Sequence, residues 1–437
     1  MADSKIFCNV PWTNTHVYWD GSLGMCCSEK HRLYADDQWS KNNLSNMNII
    51  EWHNSELMKD IRSNILGNQK LSQCQNCYSE ESVGHESRRI KENFKSVIFT
   101  KQAFDKSYKQ SPWFEKFESA KDRKEQSLPN DWHVDLGNEC NLSCKMCNPN
   151  ASSLITSKFI AWGMPVDRRK NWTNDDKSWN NFLESVNLCK INRLHFMGGE
   201  PMLNKRFYQI IDHLLETNRE EISISFVSNG TMFDQNLIDK LKQFKSCDIE
   251  ISLESISKNN DYIRQGIKSV TELVKNNIEK LAAQQTDKFH IVLRSVPQLL
   301  NVNNYHEYIL WAYKKKLSIQ GIPLQNPLYL SIGVLPISIR KEFVERYEQV
   351  KFFIKQDSNR SFTTITTGRD TSRLDIQLIN ECNVIISLLN KQEPLNVIEL
   401  RKDLAEWLIR WDTEFGLNAY DYYPEYTNFL KSIGYEV

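Results

Sequence analysis

The sequence predicts an α/β protein: a partial (βα)6 barrel with a small cysteine-bearing module ahead of it and a helical region behind. Three observations predict this. From about residue 131, short β-rich runs alternate with stretches of helical period, the pattern of a parallel sheet built from βα units. Cysteines crowd the first 85 residues. Beyond about residue 338 the β-rich runs stop and long helical patterns take over.

The barrel strands are expected at 132–136, 193–196, 222–227, 248–253, 290–296 and 328–334. Helical periods separate them, as in Phe207, Ile210, Ile211, Leu214 and Leu215, or Leu237, Leu241 and Phe244. Six such units favour an open barrel over a closed eightfold one. The C-terminal helices are expected through 343–354, 374–389 and 397–411. A chain of 437 residues exceeds what one core usually organises. It divides into a module at 1–85, a connector at 86–130, the barrel at 131–337 and the helical region at 338–437. The module should hold a hairpin through His16, Gly21 and Met25, and one amphipathic helix marked by Trp52, Leu57, Ile61 and Ile65. In the connector, Arg88, Arg89, Lys91, Lys95 and Lys101 read mostly as a solvated face, and Trp113 and Phe117 as a short helix.

Lys plus Arg equals Asp plus Glu at 55 each, so no global field draws the chain to nucleic acid or an anionic membrane. No apolar run approaches the roughly 18 residues of a membrane span, and the first residues lack a signal-peptide core. A soluble, cytoplasmic protein is expected. Eight of the 11 cysteines form three groups: Cys8 with Cys26 and Cys27, Cys74 with Cys77, and Cys140 with Cys144 and Cys147. In a large cytosolic chain such clustering points to metal ligation rather than disulfides. Cys189, Cys247 and Cys382 are scattered and read as small buried hydrophobes.

Cys140-Asn141-Leu142-Ser143-Cys144-Lys145-Met146-Cys147 follows the first barrel strand, at the strand end where barrel active sites sit. Three thiolates can hold three irons of a cubane cluster and leave the fourth open to a cofactor. Structural zinc is the alternative, but it wants a fourth ligand that this loop does not supply. Further polar motifs follow later strands. Met197-Gly198-Gly199-Glu200-Pro201 allows close backbone approach and offers a carboxylate to an ammonium group, though it also reads as a plain glycine turn. Ser228-Asn229-Gly230-Thr231 is a polar strand end or a turn, and Ser252-Leu253-Glu254 ends another strand. Asp261-Tyr262-Ile263-Arg264 offers a guanidinium suited to a carboxylate, or a surface charge. Arg294, Ser295, Gln298, Asn301 and Asn303 are candidate substrate contacts.

Across about residues 131 to 335 these motifs resemble the radical S-adenosylmethionine (radical SAM) superfamily. The resemblance implies a catalytic 4Fe-4S cluster on Cys140, Cys144 and Cys147, with S-adenosylmethionine as cofactor. Gly198, Gly199 and Glu200 would bind the methionine amino group, Asn229, Ser252 and Glu254 would contact ribose and carboxylate, and Arg264 would pair with the carboxylate. Met146 stands where many members have an aromatic residue, and Glu254 where relatives often have Asp. The implied chemistry is one-electron cleavage of the cofactor to a 5′-deoxyadenosyl radical that abstracts a substrate hydrogen. An external reductant such as flavodoxin or ferredoxin would supply the electron.

Cys8 and Cys26 span the expected hairpin with 17 residues between them, and Cys74-Gln75-Asn76-Cys77 follows the helix. With Pro11-Trp12 and Asp20-Gly21, this resembles the twitch module, a shortened SPASM domain that binds an auxiliary 4Fe-4S cluster. Cys8, Cys26, Cys74 and Cys77 are the implied ligands, with Cys27 competing with Cys26. Most relatives carry the module after the barrel, whereas here it precedes it. A zinc ribbon and a thioredoxin-like CxxC are the alternatives. The expected function is oxidative modification of a peptide or protein. Dehydrogenation of a small hydroxylated metabolite comes second. A non-catalytic, zinc-stapled binding protein, its basic connector touching nucleic acid, is the reading of another class.

Overall fold

Strands with one apolar face and one polar face set the frame, as Trp132 and Val134 alternate with Asp131, His133 and Asp135. The computed structural model describes residues 6–29, 41–82, 87–95, 128–358, 364–366 and 371–436. In chain order the strands are β1 (Asn14–Val17), β2 (Leu23–Gly24), β3 (Asp131–Asp135), β4 (Ser143–Cys144), β5 (Arg193–Met197), β6 (Ser223–Ser228), β7 (Ser246–Ser252), β8 (Arg264–Gln265), β9 (Phe289–Ser295), β10 (Ser318–Gly321), β11 (Thr364–Thr366) and β12 (Thr371–Arg373). The chain forms two units. One comprises Met1–Asn138, Asp167–Ile210 and Glu221–Ile224; the other comprises Glu139–Val166, Ile211–Glu220 and Ser225–Val437.

In the first unit the expected hairpin forms as β1 and β2, with Gly21 at φ +82° in its turn. It also extends the parallel sheet. β1 pairs with β3 and β3 with β5, placing His16, His133 and His195 in one row. The single helix expected around Trp52 to Ile65 is two, Ile49–His53 and Glu56–Leu66. Ser55 interrupts it by accepting from the Met58 N–H at 3.3 Å, an N-cap that starts the second helix, and Met58 turns inward where Leu57 was expected.

Arg88 and Arg89 are not on a solvated face. Helix Arg88–Lys95 packs beside the N-terminal segment, and Asn93 accepts from the Asn9 N–H at 2.9 Å. Arg89 donates to the Phe7 carbonyl at 2.7 Å and pairs with Glu81, while Arg88 bonds Cys27 and lies 3.1 Å from His133 Nε2. Lys91 is exposed as expected. Lys101, Trp113 and Phe117 lie outside the described residues.

In the second unit β7, β9 and β10 are parallel, and β4 pairs antiparallel with β8. Five expected barrel strands appear as β3, β5, β6, β7 and β9. The sixth does not. Residues 328–334 form two 3-10 turns, Leu328–Leu330 and Ile332–Val334, and the strand beside β9 is the four-residue β10. Leu330, Ile332 and Val334 are buried as an apolar run should be, but they pack as turns against helix Val397–Phe415. Helices Ile337–Ser358, Leu374–Leu389 and Val397–Phe415 fill the C-terminal region, and the pair β11–β12 shows that strands do not stop at 338. The protein is thus α/β with a mostly parallel sheet and a helical C-terminal region. Among the described residues no helix is long and apolar enough to cross a membrane.

One half-buried carboxyl of this region makes stability depend on pH. Burial raises Glu381 to about 7, although the Tyr305 hydroxyl donates to it at 2.8 Å. The folded state therefore holds this proton more tightly than the unfolded chain does. Its contribution is full below about pH 4 and is lost as pH rises through 7. Glu381→Gln should remove on the order of 1–2 kcal/mol from the wild-type fall in stability between pH 5 and 8. Denaturant unfolding of both proteins at the two pH values checks this, and equal falls would refute it.

Candidate cluster and cofactor site

The three-cysteine loop belongs wholly to the second unit, and local hydrogen bonds shape it. Ser152 caps helix Ser153–Ala161, accepting from the Ile155 N–H at 3.3 Å, and its hydroxyl donates to the Leu142 carbonyl at 2.8 Å. The Cys140 N–H donates to Ser153 Oγ at 3.3 Å. Pairing of β4 with β8 sets Cys144 opposite Arg264. Cys144 is buried, and Cys140 and Cys147 are half-buried. A hydrogen bond between Cys144 and Cys147 raises the first thiol and lowers the second.

Arg264 and Glu254 are buried together, with Nη1 to Oε1 at 3.1 Å. Burial opposes the Arg264 charge, but nearby Cys144 and Glu254 outweigh it and raise its pKa. Burial raises Glu254. Its second oxygen accepts from Ser295 Oγ at 3.1 Å and the Val296 N–H at 2.8 Å, and Asn301 donates to its carbonyl at 3.1 Å. Asn229 donates to Asn141 Oδ1 at 2.7 Å, and its amide nitrogen lies 3.9 Å from Cys140 Sγ. Ser252 is half-buried at the end of β7. The structure thus gathers Asn229, Glu254 and Arg264 near the cysteine loop. Of the candidate substrate contacts, Ser295 and Asn301 hold Glu254, Arg294 pairs with Glu250 and Asn303 bonds Glu425 at 2.6 Å. Gln298 is fully buried.

Gly198, Gly199 and Glu200 belong to the first unit. Gly198 adopts φ +117°, and a Cβ there would lie 2.3 Å from the Gly137 carbonyl, so the tight approach after β5 requires glycine. The Gly199 N–H donates to the same carbonyl at 2.9 Å. Glu200 is buried and accepts from the Met202 N–H at 3.2 Å, capping the turn Pro201–Leu203.

The N-terminal cysteines also lie in the first unit. Cys8, Cys26, Cys74 and Cys77 line one cavity, with Arg89 at its wall. Cys27 does not line it. This thiol bonds Arg88, a residue expected on a solvated face. Burial pushes the Cys8 thiol up, and with Cys77 nearby it pushes Cys74 up to about 12. Among the described residues no group of three His, Cys, Asp or Glu side chains is tight enough to hold a single ion. Four thiols around one cavity fit a cluster whose corners they reach separately, and loading it must release their protons. Cys189, Cys247 and Cys382 are buried and apart.

Residues 134–296 match the Radical SAM superfamily, so the chain contains a radical SAM domain. Residues 8–78 match SPASM, an iron-sulfur cluster-binding domain. The chain thus carries a radical SAM domain preceded in sequence by an iron-sulfur cluster-binding domain, and these domains support iron-sulfur clusters and S-adenosylmethionine as cofactors. No curated protein matches the chain. Among solved structures it is similar to anSMEcpe with bound AdoMet, at 17% identity and TM-score 0.37 over 53% of this chain and 62% of that one. It is also similar to Streptococcus suis SuiB bound to S-adenosylmethionine, at 13% identity and TM-score 0.37, over 68% of this chain and 64% of that one. A further similar structure is Streptococcus suis SuiB bound to precursor peptide SuiA, at 14% identity and TM-score 0.36, over 69% and 64%. The chain spans less than two thirds of the length of each.

Proposed function

We propose that this enzyme oxidatively modifies a peptide or protein, using one 4Fe-4S cluster on Cys140, Cys144 and Cys147 and a second on Cys8, Cys26, Cys74 and Cys77. The observation that carries the reading is the cavity lined by those last four thiols. Four thiolates satisfy a cubane completely, which leaves no position for substrate and suits the cluster to moving electrons. A substrate radical that passes an electron on is oxidised. A peptide or protein is preferred to a small hydroxylated metabolite because the SPASM class of domain accompanies peptide modification.

When bound, the three-thiolate cluster and S-adenosylmethionine supply one-electron cleavage of a carbon–sulfur bond and a radical able to abstract hydrogen. The chain's own residues position and shield. Arg264 sets positive charge beside the three thiols and Glu254 holds it there. Asn229 steadies the loop through Asn141. Glu200 and Arg264 are the charged residues assigned to the methionine zwitterion, and a one-electron donor such as flavodoxin or ferredoxin is the partner.

The test is anaerobic reconstitution, then dithionite and S-adenosylmethionine, with 5′-deoxyadenosine as the expected product even without substrate. Glu200→Ala and Arg264→Ala should each weaken cofactor binding about 10- to 100-fold, since each removes a charge-assisted contact of roughly 1.5–3 kcal/mol. Unchanged affinity in both would overturn those roles. Two equivalents of zinc and no iron would overturn the function.

A further inference from the structure

We propose that Asp412, on helix Val397–Phe415, is a positioning residue for the cysteine loop and acts through Lys145, given that Cys140, Cys144 and Cys147 hold a cluster as proposed above. Lys145 stands between Cys144 and Cys147 in sequence and is fully buried. Its Nζ bonds Asp412 Oδ1 at 3.1 Å, both side chains being 0% exposed. The same ammonium lies 4.0 Å from the Tyr262 ring centre and 5.2 Å from that of Trp411. Asp412 Oδ2 accepts from the hydroxyls of Tyr262 at 2.9 Å and Tyr435 at 2.6 Å. The backbone is held as well: the Lys145 N–H donates to the Ile263 carbonyl at 2.9 Å, and Trp407 Nε1 donates to the Lys145 carbonyl at 3.2 Å. Cys147 packs against the core formed by Ile155, Trp407 and Trp411.

Stability alone does not explain such a pair, because well-packed apolar residues of the same volume serve as well or better in a buried site. What the pair adds is a fixed point. The ammonium and the carboxylate are both satisfied in one placement of Lys145, and that placement sets the spacing of Cys144, directly before it, and Cys147, two residues on. The C-terminal helix thereby acts on the cluster from 267 residues away in sequence. Partners that hydrogen-bond a metal ligand directly are worth about 10- to 100-fold in metal affinity, and a pair that acts through the backbone of the loop is expected at the lower end of that range.

The test uses the full-length, anaerobically reconstituted protein. Asp412→Asn keeps the shape and removes the charge. It should fold as wild type by circular dichroism, lose iron to a chelator about 10-fold faster and change the g-values of the reduced cluster. Lys145→Met should do the same, and the double variant should be no worse than either single one, because one interaction is removed once. Asp412→Glu should restore part of the wild-type signal. Should either single variant fail to fold, Lys145→Met with Asp412→Leu, which strands no charge, takes its place with the same readouts. Unchanged iron loss and g-values, or additive effects, overturn the role of Asp412. If replacing Cys140, Cys144 and Cys147 costs the wild-type protein no iron, the cluster assignment fails instead.

Discussion

Replacing Cys140, Cys144 and Cys147 together by Ala is expected to abolish 5′-deoxyadenosine formation and to cut bound iron from about eight to about four per chain. The wild-type figure follows from two cubanes, one on each cysteine set. The loss of activity is expected to be complete rather than partial because, in the function proposed above, the cofactor meets only the iron that these three thiolates leave open. Loop geometry makes single substitutions nearly as severe. Cys144 is tied by backbone pairing to the strand that carries Arg264, and Cys147 is packed against Trp407 and Trp411, so the thiols that remain are held in place and cannot shift to make good the missing one. Iron and sulfide analysis with product chromatography checks both parts. Retained 5′-deoxyadenosine in the triple variant would place the reaction elsewhere.

Cys74→Ala or Cys77→Ala should give the opposite dissociation, with S-adenosylmethionine cleavage largely kept and finished product lost. In the function proposed above, only the cluster on Cys140, Cys144 and Cys147 meets the cofactor, and oxidation of the substrate needs the second cluster to accept an electron. Iron should again fall toward four per chain, this time with 5′-deoxyadenosine still formed. Cys26→Ala should behave like these variants because Cys26 lines the cavity, and Cys27→Ala should not, because its thiol is engaged by Arg88 outside the cavity. Finished product from Cys74→Ala, or a substrate-dependent signal from the second cluster, would show that it binds substrate or is dispensable.

Much of this was legible in the sequence for definite reasons. The β-rich runs at 132–136 and 193–196 were enough to place those strands, and the local cysteine spacings brought their thiols onto one loop and into one cavity. What stayed hidden was set by distant partners. Nothing near Lys145 announces that its charge is met by Asp412, and nothing near Arg88 and Arg89 announces that they turn toward Cys27, Phe7 and Glu81. β10 is too short for period 2 to register, with Ser318 and Ile319 buried and Gln320 exposed, while the more apolar run 328–334 imitates a strand and folds as turns. The split at Ser55 was readable in principle, since Ser before Glu56 is a helix-start signal inside an otherwise periodic stretch.

The parallel pairing of β1 with β3 means that the cysteine module is not an appendage that can be cut away. A chain shortened to begin at β3 would bare the backbone edge that β1 covers, and an uncovered edge is a template for intermolecular strand addition. Module and core therefore share one folding fate at this seam: an excised core would tend to aggregate for want of a neighbour strand, whatever the state of its iron.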